Sequence, residues 1–312
     1  MINGILNVYK EKGFTSHDVV AKLRGIVGQR KIGHTGTLDP DAEGVLPVCL
    51  GKATKLVDML IEKDKVYQAA LLLGKTSDTQ DSSGVILRSY TGILPKEQDI
   101  RNVVKSFCGD YEQIPPMYSA IKINGKKLYA LARAGQEVVR KPRKVHIQRI
   151  TILKIDLPRV FLEVECAKGT YIRTLCHDIG AELNCGGLME SLLRTKVGFF
   201  NIDKSLRLSQ VEELVAHGRL SEVLYPIDAV FSFLQKVRVR PEKAFAAYNG
   251  NVVLLEYLEG IERLHVQEGE KIRLYDRQDV LIGIFRFTKD RTFVVDKMFL
   301  DREEINGIYK RD

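Results

Sequence analysis

Residues 31–44 read Lys31-Ile32-Gly33-His34-Thr35-Gly36-Thr37-Leu38-Asp39-Pro40-Asp41-Ala42-Glu43-Gly44, between a helical pattern and an apolar run over 45–50. A stretch this dense in Gly, Thr, Asp and Pro predicts a loop. Its glycines allow close backbone approach and φ > 0 where a turn needs it. Asp39 precedes Pro40, which pushes its backbone toward extended geometry and fixes the launch direction of the carboxylate. A fixed carboxylate in a glycine-rich loop suits catalysis. It equally suits a turn former that bonds its own backbone.

Two other readings of nearby residues fail on spacing. Asp39-x-Asp41-x-Glu43-Gly44 opens like a calcium loop, but the twelfth position is Leu50 where a bidentate Glu is needed, and Pro40 holds the second. Gly74-Lys75-Thr76 has the tail of a nucleotide phosphate loop, but Ala69 stands where its first glycine belongs.

The chain has 312 residues, enough for two domains, and 45% of them are apolar. No apolar run approaches the roughly 18 residues of a membrane span. Residues 1–7 enter a strand-like run directly, so a cytoplasmic location is expected. The five cysteines are odd in number and form no C-x-x-C pair, which argues against a disulfide framework. Cys166, Cys176, His177 and Cys185 match no common zinc spacing, so no metal is expected.

Net charge is +8, and one segment supplies the whole excess. Residues 121–150 hold Lys122, Lys126, Lys127, Arg133, Arg140, Lys141, Arg143, Lys144 and Arg149 against the single acid Glu137. Ordinary surfaces mix their signs. A concentrated basic segment is the footprint of a polyanion such as nucleic acid, or else a solubilising loop.

In chain order, strands are expected over 4–9, 45–50, 65–73, 145–155, 159–166 and 188–197, by apolar runs or alternation. Helices are expected from Thr15-Ser16 to Gly28, over 52–62, 96–107 and 127–133, from 168 through 183, and over 208–217. Residues 76–84 read as a polar loop. Gly125 and Gly135 flank the short helix in the basic segment, which suggests a mobile protrusion. Arg173 falls in the first turn of its helix, where the dipole disfavours a cation, hinting at an anionic partner. An arginine that simply points outward is the alternative. Tyr67 is either core packing or a platform for a displaced base. From about 235 the pattern changes to short strands and turns.

These residues resemble the bacterial TruB-type tRNA pseudouridine-55 synthases over nearly the full length. The most specific matches are Gly33-His34-Thr35-Gly36-Thr37-Leu38-Asp39-Pro40, Glu43-Gly44-Val45-Leu46-Pro47 and Gly51-Lys52-Ala53-Thr54-Lys55. Lys65-Val66-Tyr67, Pro115-Pro116-Met117-Tyr118-Ser119-Ala120-Ile121-Lys122, Lys168-Gly169-Thr170-Tyr171-Ile172-Arg173 and Leu193-Arg194 follow in order. Where the family has Lys-Pro before its Thr-Ser pair, this chain has Lys10-Glu11, a departure expected to stay clear of the site.

The resemblance implies an α+β fold: a mixed, mainly antiparallel sheet core flanked by helices. A catalytic domain would span 1–234, with a thumb-like basic insertion over 121–149, and a small all-β PUA-like RNA-binding domain would span 235–312. It implies that Asp39 is the catalytic aspartate, that Arg173 pairs with it and holds it ionised, and that Tyr67 stacks on the target uracil. Leu193 would line the base pocket. His34 and Tyr171 would lie beside the flipped nucleotide, and Lys122, Arg140, Lys141, Arg143 and Lys144 would meet phosphate. The partner would be the T-arm stem-loop of tRNA. No cofactor, membrane, guide RNA or obligatory protein partner is implied. A non-catalytic RNA-binding protein and a guide-dependent synthase subunit are the competing classes.

Overall fold

The computed structural model describes residues 1–123, 125–260 and 265–300, and two compact units meet at the Leu224/Tyr225 boundary. In the first, β1 (Gly4–Lys10) leads into α1 (Ser16–Val27). A capping box starts that helix: Asp18 N donates to Thr15 Oγ1 at 3.1 Å, and Thr15 N donates to Asp18 Oδ2 at 2.8 Å. Gly28 ends it in the left-handed conformation.

The first three residues of the expected loop after Lys31 form a strand, β2 (Ile32–His34), paired antiparallel with β3 (Glu43–Leu50). Residues 35–42 are therefore the connection of a long hairpin. The expected helix over 52–62 begins as a 3₁₀ turn, Gly51–Leu56, and becomes α2 only at Val57–Ile61. After β4 (Lys65–Leu73), the polar loop expected over 76–84 begins inside strand β5 (Lys75–Ser77), which pairs with β6 (Ile86–Ser89).

Next come α3 (Glu97–Ser106) and β7 (Gly109–Gln113), then the short ribbon β8 (Lys122–Ile123) and β9 (Lys126–Lys127), and α4 (Leu128–Arg133). β10 (Arg143–Asp156) pairs with β7 from its first residue, Arg143 opposite Gln113. The basic insertion is thus shorter than its charge suggests, because Arg143, Lys144 and Arg149 belong to the central sheet. β11 (Arg159–Cys166), α5 (Ile172–Glu182), β12 (Gly187–Val197), β13 (Phe200–Asn201) and α6 (Leu208–Ala216) complete the unit.

The main sheet runs β1-β3-β12-β4-β11-β10-β7, with β2 on β3 and β13 on β12. Its pairs are antiparallel except β12 with β3, where Leu193 lies opposite Glu43 and Arg194 opposite Gly44. That parallel contact explains Gly44: φ is 106° there, and a Cβ would come within 2.2 Å of the Arg194 carbonyl oxygen. One core cluster joins Leu71, Leu162, Val164 and Ile147 to Leu175 and Ile179 of α5 and Ile100 of α3. The other joins Leu6, Val8, Leu46 and Val48 to α1 and α6 through Leu23 and Val211. β3 is flanked on both faces, so it reads as a continuous apolar run.

In the second unit β14 (Gln235–Arg238), β16 (Lys271–Tyr275), β17 (Leu281–Phe287), β18 (Thr292–Met298) and β15 (Val253–Leu254) form one sheet in that spatial order, beside helix α7 (Ala244–Tyr248). The unit starts about ten residues before the expected position 235. The connector packs on it: Tyr275 donates its hydroxyl proton to Asp228 at 2.6 Å, and the Phe231 ring sits 5.9 Å from that of Phe299. The last twelve positions of the expected domain, 301–312, lie outside the described residues.

Candidate active site

The hairpin connection carrying Asp39 is held from below by β1 and α1. Ser16 Oγ accepts from Leu38 N at 2.9 Å, and Gly13 N donates to Pro40 O at 2.9 Å. Lys10, fully buried, donates its ammonium to Pro40 O at 3.0 Å and Ala42 O at 2.6 Å. Lys10, the residue of the pair that matches the family, thus straps down the backbone on either side of Asp41, while the departing residue, Glu11, pairs with Arg207. Burial pulls Lys10 down to about 8, with the Asp39 carboxylate pulling the other way.

Arg173 points inward, with 7% of its side chain exposed. Nε meets Asp39 Oδ2 at 3.1 Å and Nη2 meets Oδ1 at 3.4 Å, a two-pronged contact. Nη1 reaches Asp81 Oδ2 at 3.4 Å and Nη2 reaches Tyr118 O at 2.9 Å. The unfavourable place of this cation in the first turn of α5 is thus offset by two carboxylates and two carbonyls, the second being Thr79 O at 3.4 Å from Nη1.

Asp39 keeps 40% of its side chain open. Its pKa is nevertheless raised: desolvation is the largest cause, Arg173 opposes it, and Asp81 adds to it. The expected lowering by Arg173 is present but is outweighed by burial. Asp81 was not anticipated. It lies in a turn rich in Asp, Ser and Thr, where an acid bonding its own backbone is the ordinary case.

Tyr67 is buried on β4 in the cluster that includes Leu38 and Ala42. Burial raises its pKa, and the neighbouring Arg194 guanidinium opposes that shift. Arg194, 1% exposed, donates Nε to Val45 O at 2.7 Å and Nη2 to Gly36 O at 3.3 Å. Tyr171, the N-cap residue of α5, lies within electrostatic reach of Asp39 and Arg173, and burial raises its pKa. His34 is half-buried, edge-on to His17 at 5.2 Å, and burial with the neighbouring charges of His17 and Arg194 lowers its pKa.

Leu193 does not share the face of Tyr67. Directly opposed residues share a sheet face and successive ones alternate. Arg194 opposes Tyr67 and Leu192 opposes Ala69, whereas Leu193 opposes Gln68. Leu192 packs against the cluster containing Tyr67. A reading that stops at the dipeptide cannot tell these neighbours apart, since register sets the face.

The basic residues divide. Lys122 and Lys141 are exposed. Arg140 is anchored, donating to Pro115 O at 3.1 Å. Lys144 pairs with Asp110 at 2.8 Å. Arg143 is exposed at the root of β10, close enough to Tyr171 to favour its ionisation. No group of three His, Cys, Asp or Glu among the described residues is placed to hold a metal.

Residues 24–172 match the TruB family pseudouridylate synthase N-terminal domain, and 173–232 match the tRNA pseudouridylate synthase B C-terminal domain. The tRNA pseudouridine synthase B of Lachnoclostridium phytofermentans is 50% identical over 96% of this chain and 100% of its own length. That of Alkaliphilus oremlandii is 45% identical over 91% and 94%. Among solved structures, a Cbf5-Nop10-Gar1 complex matches with TM-score 0.71 and 27% identity, over 96% of this chain and 86% of that one. An H/ACA RNP bound to a substrate RNA containing 2′-deoxyuridine gives TM-score 0.71 at 25% identity, with the same coverage.

Proposed function

Because the chain belongs to the TruB family of pseudouridylate synthases, isomerases of tRNA uridine, we propose that it converts uridine 55 in the T-arm loop of tRNA to pseudouridine. The observation that carries this reading is the Arg173–Asp39 contact at 3.1 Å in a loop whose carboxylate stays partly open.

The rearrangement breaks the bond from uracil N1 to C1′, turns the base and joins C5 to C1′. C5 loses a proton and N1 gains one. Composition and oxidation level are unchanged, so the chemistry calls for no cofactor. Asp39 is the carboxylate that acts on the extruded uridine as nucleophile or base. Arg173 offsets the cost of ionising it beside buried groups. Tyr67 supplies a stacking surface and Leu192 the apolar wall, while His34 and Tyr171 flank the space of the flipped nucleotide. Flipping costs a few kcal/mol, offset by stacking and by phosphate contacts from the basic insertion. The second unit serves as a PUA-like RNA-binding module. The enzyme acts in the cytoplasm on free tRNA, without guide RNA or protein partner, since its own basic segment offers the phosphate contacts.

Tritium release from a T-arm stem-loop labelled at uridine C5 tests this. Asp39→Asn is expected to abolish release while leaving RNA affinity within about tenfold, since phosphate contacts dominate binding. Near wild-type turnover by that variant, or wild-type activity only with added RNA or protein, overturns the reading.

A further inference from the structure

Gln113 is the last residue of β7 and is 1% exposed. Its side-chain Oε1 accepts from Tyr171 N at 2.8 Å, and Nε2 donates to Tyr171 O at 3.0 Å. Nε2 also donates to the Tyr111 hydroxyl. A backbone N–H only donates and a carbonyl only accepts, so the amide has one orientation here. A buried glutamine thus grips both backbone polar groups of Tyr171, from which α5 starts and which stands two residues before Arg173.

The chain leaving Gln113 is held alternately by the site and by the basic insertion. Arg140 donates to Pro115 O at 3.1 Å. Tyr118 O accepts from Arg173 at 2.9 Å. Tyr129 N, in α4, donates to Ser119 O at 3.0 Å. Any movement of the insertion pulls on a segment that also touches the guanidinium.

We infer that Gln113 is a positioning residue for the Asp39–Arg173 pair, fixing the first turn of α5 from which Arg173 reaches Asp39. The inference rests on Asp39 being the catalytic carboxylate.

Gln113→Met keeps the volume and removes all three hydrogen bonds. Single-turnover tritium release as a function of pH, with stem-loop affinity measured in parallel, tests it. The expected result is a rate constant about 10- to 100-fold lower, as for a displaced reacting group, with affinity within about threefold because phosphate contacts are intact. The acid limb should move to higher pH, because a looser guanidinium opposes the desolvation of Asp39 less. A wild-type rate, or a slower rate with an unmoved acid limb, overturns the inference. Should that variant fail to fold, Tyr111→Phe removes one partner of the amide and is expected to move the limb the same way by less. An unmoved limb there is equally fatal. Asp39→Asn assayed alongside separates the failures. If it retains turnover, the proposed function falls. If it is inactive and Gln113→Met behaves like wild type, only the role of Gln113 falls.

Discussion

Arg173 holds both carboxylate oxygens of Asp39, at 3.1 and 3.4 Å, and still does not bring its pKa down to that of a free aspartate. Desolvation is the larger effect, and Asp81 shares the same guanidinium at 3.4 Å. The arginine compensates for a buried charge and keeps that charge aimed.

That balance sets a pH dependence. With Asp39 acting as proposed, in its carboxylate form, the rate is expected to fall on the acid side, with a midpoint above that of ordinary aspartate. Asp81→Asn removes a like charge and frees more of Arg173 for Asp39, and both effects favour ionisation. Its acid limb is expected at lower pH than that of wild type, in single-turnover rates across about pH 5 to 8. A limb displaced upward would contradict the shared-guanidinium geometry.

The same shift has a consequence for stability. The folded pKa of Asp39 lies above its unfolded value, so its favourable contribution exists below the unfolded pKa and is lost as pH rises through the folded one. At neutral pH the carboxylate is therefore a cost to the fold, as functional groups often are. Asp39→Asn should melt no lower than wild type at pH 7, and any advantage should shrink in acid. Thermal unfolding at both pH values checks this, and a lower melting temperature at pH 7 would refute it.

Lys10 carries the opposite sign. Its folded value of about 8 lies below the ordinary 10.5, so the native state releases this proton first and stability rises with pH between those values. Lys10→Met should lose that rise. It should also slow catalysis about tenfold or more, because the strap on Pro40 and Ala42 is gone and the Asp39 loop drifts. Denaturant unfolding across that range, with the tritium assay, measures both.

Face assignment on β12 gives a paired test. Leu192→Ala should lower the single-turnover rate about tenfold, by opening the apolar wall on the Tyr67 side. Leu193→Ala, on the other face, should stay within about twofold, as for a site outside the reacting region. The reverse ranking would show that the register does not put Leu192 beside the base.

Salt dependence separates the basic residues. Lys141 and Arg143 have no carboxylate partner among the described residues, whereas Lys144 meets Asp110 at 2.8 Å. Replacing Lys141 and Arg143 with Gln should reduce the slope of log affinity against log salt by about one to two, as for lost phosphate contacts. Lys144→Gln should change it less. Filter binding at several salt concentrations distinguishes them, and equal effects would mean that Asp110 releases Lys144 on binding.

Local chemistry in the sequence decides the strands, the capped helix α1, the loop that presents Asp39 and the oddity of Arg173, because propensity, capping and dipole act within a few residues. Asp39 also stands out there, whereas Tyr67 does so only through the family resemblance. Which side of the sheet a leucine faces, that Lys10 straps the Asp39 loop, and that Asp81 competes for Arg173 are decided only by tertiary structure. So is the direction of the Asp39 pKa, since desolvation depends on everything packed around the carboxylate and the sequence shows only the partners of opposite charge. The basic segment divides for the same reason. Its count of charges is local, but Asp110, which neutralises Lys144, arrives from the neighbouring strand β7 through sheet pairing.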